Sequence, residues 1–299
     1  MNKITKLILG RSHIRLTRQA PCCKSSFKHG VLGREGLRRY HRSSASGPHG
    51  VYMEEYSRSL EDPQAFWRDH AESLAWFKSP DKILEVDPTT SLSRWFIGGE
   101  INTCYNALDV HVMDGRGNQT ALIYDSPVTN NTKRRLTYKE MLDEASAFAG
   151  VLAREMAIQK GDRVIIYMPM IPEAIISMLA CCRIGAVHSV VFGGFASKEL
   201  ATRIDDCEPK LVITASCGVE PRGRIVEYKP LLDKALELSK HKVPKCIIVQ
   251  REDVHRCELV LGRDFVYQEL MSKDKIASSH DAIPLLSTDP HYVSIILIE

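Results

Sequence analysis

Val187-His188-Ser189-Val190-Val191-Phe192-Gly193-Gly194-Phe195 follows Tyr167-Met168-Pro169-Met170-Ile171-Pro172-Glu173-Ala174 after one short helical interval. The Val187 run reads as a buried strand that passes straight into two glycines and then a helix. Glycine adds no side chain and a helix N-terminus carries free N–H donors, so such a turn lets backbone approach a phosphate. In the Tyr167 run, Pro169 ends a strand Arg163–Tyr167, and Pro172 suits the first turn of a helix from Glu173 to Ile184. Ile175, Ile176, Met178 and Leu179 make that helix apolar on most sides, and Gly185 is a fitting stop. Strand, helix and the strand His188–Phe192 form a βαβ unit, expected to be parallel with a right-handed crossover.

The alternation extends in both directions. Further strands are expected at Ala121–Tyr124, Lys210–Ala215, Cys246–Gln250 and Tyr292–Ile298, with helices around Lys198–Asp205 and Leu231–Lys240. Thr137-Tyr138-Lys139-Glu140 fits a capping box, opening a helix that buries Met141, Leu142, Ala145, Phe148, Ala149 and Leu152. From Tyr52 to about Val112 the pattern is helix and loop rather than strand. There Asp62-Pro63 starts a helix, and Phe66, Trp67, Trp76, Phe77, Trp95 and Phe96 read as packing anchors before a ligand cage. The fold class is α/β, a mostly parallel sheet preceded by a small helical segment.

Composition narrows the setting. The chain has 299 residues, with an apolar fraction of 44% and a charged fraction of 26%, as in ordinary globular domains. No apolar run approaches the roughly 20 residues that span a bilayer. Residues 1–50 contain eleven Lys and Arg and one acid, Glu35, while the remainder is net acidic. A basic, Ser-containing, almost acid-free N-terminus reads as a mitochondrial transit peptide and linker over residues 1–45, cut between Arg39 and Ser46. The alternative is a basic arm for nucleic acid or anionic lipid. The nine cysteines show no C-x-x-C and no zinc-site spacing, and most lie in apolar patterns. Reduced thiols of this kind suit the mitochondrial matrix.

Two loops could carry chemistry, because ligands in open α/β sheets bind outside the carboxyl ends of strands. One is Phe192-Gly193-Gly194, followed by a helix that Ser197 is expected to cap. Taken alone, a glycine pair after a strand is more often a tight turn than a ligand site. The other is Glu220-Pro221-Arg222-Gly223-Arg224, a stiff cationic loop after a buried strand, alternatively a solvated surface loop. Neither G-x-G-x-x-G nor G-x-x-x-x-G-K-[ST] occurs. His188 reads as a packed, hydrogen-bonded core histidine and Asp205-Asp206 as a solvated pair, so no catalytic residue or metal ligand is assigned.

From about Tyr56 to Tyr292 the chain resembles the N-terminal half of the AMP-forming short-chain acyl-CoA synthetases, the acetate/propionate–CoA ligases of the adenylate-forming superfamily. The resemblance rests on Tyr167–Met170, on Ala180-Cys181-Cys182-Arg183-Ile184-Gly185-Ala186-Val187-His188-Ser189 and on Phe192-Gly193-Gly194-Phe195. Cys104-Tyr105-Asn106-Ala107-Leu108-Asp109, Tyr124–Thr129 and Glu220-Pro221-Arg222 are most similar to a mitochondrial, propionate-preferring member. The resemblance implies an N-terminal helical segment over 52–112 and the first part of an AMP-binding domain over 113–299. It implies ATP, Mg and CoA as cofactors and co-substrates of the full-length enzyme, with propionate or acetate as the acid. It assigns CoA to Phe192, Gly193, Gly194 and Glu220, Pro221, Arg222, Gly223, Arg224, leaving open which arginine meets phosphate.

After Asp289-Pro290-His291-Tyr292 the family continues into a Ser/Thr/Gly-rich phosphate loop ending in Lys, whereas Val293–Glu299 stands here. The phosphate loop, acyl pocket and C-terminal domain are therefore expected to be absent, the adenylating fold incomplete and the chain inactive alone and poorly soluble. A non-catalytic CoA-binding or interaction isoform, and a fragment without function, are the other readings. The abrupt departure at Val293 favours the fragment.

Overall fold

The computed structural model describes residues 48–126, 128–129, 132–194, 196–272 and 295–296. The expected transit peptide, Cys22, Cys23, Phe195 and most of the strand expected at Tyr292–Ile298 lie outside these residues. The chain divides after Glu55, and of its first part only 48–55 are described, as the opening of helix α1 (Pro48–Glu61). All other described elements belong to the second part, Tyr56–Glu299.

Helix α2 (Pro63–Ala71) begins as expected, with the Asp62 carboxylate accepting from Ala65 N at 3.0 Å and Pro63 in its first turn. The segment read as helix and loop also holds a two-stranded antiparallel hairpin, β1 (Lys82–Val86) and β2 (Ser93–Ile97). Its strands are short and only half-buried, so the period-two pattern is blurred. What fixes the turn is Asp87, whose Oδ1 accepts from Thr89 N (2.7 Å) and Thr90 N (3.0 Å). The aromatic anchors pack mainly on one another: Trp67 meets Trp95 edge-on at 6.0 Å and Trp76 lies 5.4 Å from Phe96. A second hairpin, β3 (Thr120–Ser126) with β4 (Thr132–Thr137), leads into helix α3 (Tyr138–Gly150). The capping box is formed, with Thr137 Oγ1 accepting from Glu140 N and Glu140 Oε2 accepting from Thr137 N.

The main sheet is built from β5 (Arg163–Met168), helix α4 (Pro172–Arg183), β6 (Val187–Phe192), helix α5 (Ser197–Cys207) and β7 (Leu211–Ala215). A small hairpin, β8 (Cys217–Val219) and β9 (Ile225–Glu227), then feeds helix α6 (Tyr228–Leu238). Strands β10 (Lys245–Val249) and β11 (Asp264–Val266), helix α7 (Tyr267–Leu270) and β12 (Ile295–Ile296) complete the described elements. The sheet order is β11-β10-β7-β5-β6-β12, and every pair in it is parallel. The first strand of the series, β5, therefore sits between the second and the third, which is a doubly wound order with a switch point beside β5.

Two apolar cores flank this sheet. Val164, Ile166 and Met168 of β5 pack with Met141 and Phe148 of α3 and Ile176 of α4. Ile165 and Tyr167 pack on the opposite side with Leu200 and Ile204 of α5 and Leu232 of α6. A strand buried on both faces reads as a continuous apolar run, which is why β5 was legible. Ser197 does not cap α5: Ala196 occupies that position without a side-chain bond. Asp205 is not merely solvated, since its Oδ1 accepts from Lys240 N (2.7 Å) and His241 N (2.9 Å). Cys104, Cys181, Cys182, Cys207, Cys217 and Cys246 are buried free thiols.

The segment before the sheet is clamped to the end of α4. Buried Asn102 donates from Nδ2 to the carbonyls of Cys182 (3.0 Å) and Arg183 (3.2 Å), two of the acceptors that a helix end leaves open. Arg183 makes a two-pronged bond to Asp109, at 2.9 and 3.2 Å, with both side chains close to nine-tenths buried. Asp109→Ala would leave a buried guanidinium unpaired, and a loss of about 3–5 kcal/mol is expected in urea denaturation. A loss within experimental error would refute the clamp.

His188 departs from expectation. It is 1% exposed, but neither ring nitrogen has a hydrogen-bond partner among the described residues. Its register partners are Val164 on β5 and Ile295 on β12. Burial lowers its pKa from 6.5 to about 4. The folded chain thus binds this proton less readily than the unfolded one. Stability contributed by neutral His188 is complete above about pH 6.5 and declines as pH falls toward 4, by roughly 3 kcal/mol in all. His188→Leu should flatten that part of a stability–pH curve; an unchanged slope would show that other groups cause it.

Candidate functional site

Strands β6 and β7 flank β5 on opposite sides, and the two loops singled out in the sequence leave from their carboxyl ends. The β6 strand ends at Phe192, which is 73% exposed, and Gly193 and Gly194 follow as a turn ahead of α5. After β7, Glu220–Arg224 forms the tip of the β8–β9 hairpin, with Cys217 opposite Glu227 and Val219 opposite Ile225. A one-turn 3-10 element, Pro221–Gly223, bends the tip. Arg222 (φ 72°) and Gly223 (φ 77°) both adopt left-handed backbone. Gly223 tolerates this freely, whereas Arg222 holds it at a cost. Gly223 N donates to Glu220 O at 3.1 Å and Glu220 N to Arg224 O at 2.8 Å, which closes the tip.

The two arginines have different surroundings. Arg224 donates through Nε to Glu220 Oε2 at 2.8 Å, with Nη2 2.7 Å from the same oxygen. This pairing lowers the Glu220 pKa and raises that of Arg224. Arg222 is exposed and has no ion pair among the described residues. Of the two, Arg222 presents an uncommitted guanidinium, the group suited to grip a phosphate from two sides.

The side chain that joins the loops was not singled out in the sequence. Tyr228, the first residue of α6, is 7% exposed and stacks on Tyr167 of β5, with ring centroids 5.1 Å apart and planes at 28°. A Cβ on Gly193 would lie 2.2 Å from its hydroxyl oxygen and 2.7 Å from Cζ, and one on Gly218 would lie 2.6 and 2.9 Å from the same atoms. The ring therefore fills the space that two absent side chains leave, one in the turn after β6 and one in strand β8. Backbone N of Tyr228 donates to Ser216 O at 3.1 Å, and Arg251 Nη1 donates to Cys217 O at 3.3 Å, fixing the hairpin stem. Burial raises the Tyr228 pKa, opposed by the nearby Arg251 charge. A tyrosine beginning an amphipathic helix carries no signal of this role; the only available hints were Gly193 in the turn and Gly218 in strand β8.

The turn that holds Phe192, Gly193 and Gly194 and the stem of the hairpin whose tip is Glu220–Arg224 thus meet at Tyr228, through Gly193 and Gly218. Among the described residues no group of three or more His, Cys, Asp or Glu side chains is placed to hold a metal ion. No helix among them is long and apolar enough to cross a membrane. Gly218→Ala is expected to displace the Tyr228 ring and cost about 1–3 kcal/mol. That cost should largely disappear in a Tyr228→Leu background, so a double-mutant cycle reads the contact directly. Additive losses would mean that the ring and Gly218 do not touch.

Comparison with known proteins places the chain in a family. Residues 110–292 match the AMP-binding enzyme family, and residues 52–107 match the acetyl-coenzyme A synthetase N-terminus. Over 264 residues the chain is 49% identical to human acyl-CoA synthetase short-chain family member 3, mitochondrial, covering 88% of this chain and 37% of that protein. It is 42% identical over 243 residues to an acetyl-coenzyme A synthetase of Leptospira biflexa, covering 81% and 37%. The fold resembles acetoacetyl-CoA synthetase from Streptomyces lividans, with a TM-score of 0.69 at 20% identity over 88% of this chain and 38% of that one. The chain spans little more than a third of the length of these relatives. It belongs to the AMP-binding enzyme family and corresponds to the N-terminal part of a short-chain acyl-CoA synthetase.

Proposed function

We propose that this chain supplies the CoA-nucleotide site of an AMP-forming ligase that joins a short-chain carboxylate, propionate or acetate, to CoA. In the complete reaction ATP and the carboxylate give an acyl-adenylate and pyrophosphate. The CoA thiol then attacks the acyl carbon, giving thioester and AMP. Residues 52–112 act as the N-terminal segment and 113–299 as the opening of the adenylating domain, a division supported by the two family matches. ATP and Mg are assigned to the complete enzyme rather than to the described residues. A mitochondrial location, with residues 1–45 as the transit peptide, is supported by their basic, acid-poor composition and by the mitochondrial designation of the human relative.

One observation carries the site: the turn Gly193-Gly194 and the hairpin whose tip presents the uncommitted Arg222 meet one buried ring, through Gly193 and Gly218. The donors fit CoA, whose nucleotide end offers several phosphate groups. The Gly193-Gly194 turn offers backbone N–H groups to phosphate on the side that the Tyr228 and Phe192 rings do not fill. Arg222 supplies charge-assisted hydrogen bonds, while Arg224, neutralised by Glu220, shapes the loop. Arg222→Ala is expected to weaken CoA binding about 10–100-fold in calorimetric titration, corresponding to about 1.5–3 kcal/mol for a bond to a charged group. Arg224→Ala should cost less. Equal affinities for wild type and Arg222→Ala would remove CoA phosphate from this loop.

A further inference from the structure

Tyr228 lies between the turn after β6 and the hairpin after β7, and its ring meets Gly193 in the turn and Gly218 in strand β8 of the hairpin. Three features hold that ring in one place. Tyr167 stacks beneath it from the strand buried on both faces. Its backbone N–H is bonded to Ser216 O, where the hairpin begins. Gly193 and Gly218 close on its hydroxyl end, so neither glycine can move inward without displacing it. The separation between the Gly193-Gly194 turn and the hairpin that carries Arg222 is thereby set by a single rigid side chain.

We propose that Tyr228 is a positioning residue for CoA: it sets the spacing at which the Gly193-Gly194 turn and Arg222 engage one nucleotide together. This role rests on the assignment of CoA to the two loops. A merely structural tyrosine would alter the folded fraction and leave the energetic effect of Arg222 untouched. A spacer makes the contribution of Arg222 depend on the ring.

The experiment measures CoA affinity of the full chain with and without Arg222→Ala in three backgrounds: wild type, Tyr228→Phe and Tyr228→Leu. Arg222→Ala should weaken binding about 10-fold or more in wild type and in Tyr228→Phe, which keeps the ring. In Tyr228→Leu the same substitution should change affinity less than about 2-fold, because the hairpin no longer holds its spacing. Should Tyr228→Leu fail to fold, Gly218→Ala displaces the ring from the other side and should also erase the Arg222 effect. An undiminished Arg222 effect in either ring-displaced background overturns the proposal while leaving the CoA site standing. No Arg222 effect in wild type overturns both.

Discussion

Strand β5 has no face in contact with water, and the arrangement of the described sheet follows from that. Val164 and Ile166 are fully buried on one side, Ile165 and Tyr167 on the other, so helices must cover both faces. Its backbone groups must also be satisfied on both edges, and β6 and β7 supply the partners through two parallel ladders. The chain consequently reaches β7 by crossing over β5. The loops after β6 and β7 then emerge on either side of the same strand end, where doubly wound sheets bind their ligands.

At that end Tyr228 converts proximity into defined geometry. Its ring takes space vacated by Gly193 and Gly218 and rests on Tyr167. A small residue there would leave the hairpin to move against the turn, and a glycine replaced by alanine would force the ring away. The left-handed Arg222 is held because Glu220 closes the tip twice, through backbone bonds and through its ion pair with Arg224. Backbone cost at one residue is thus offset by bonds at its neighbours.

Several buried polar groups elsewhere follow the same rule of compensation, whereas His188 and the Tyr267 hydroxyl, among the described residues, do not. Arg183 is paired to Asp109, and Lys229 lies 3.0 Å from Asp264, which also accepts from Arg263. Burial alone would raise the Asp264 pKa; Arg263, the Val260 N–H and Lys229 more than offset it and leave it lowered. His188 has no such partner among the described residues and remains neutral, which links this part of the sheet to pH.

The α/β alternation, the parallel sheet and the position of the two candidate loops after strand ends were legible in the amino-acid order. Strands buried on both faces, Pro172 at a helix start and the Thr137–Glu140 capping box write local signals that survive without tertiary context. The hairpin Lys82–Ile97, the small β8–β9 hairpin and the role of Asp205 were not legible, because short half-buried strands and long-range side-chain bonds leave no periodicity. The run Cys104–Asp109 carried resemblance but no mechanism; only folding shows that Asp109 meets Arg183 and that Asn106 bonds Ala75. Folding likewise settles which arginine is uncommitted and brings Tyr228 between the loops. Those facts depend on residues brought together across the sheet, and such distances are set by packing rather than by any local stretch of chain.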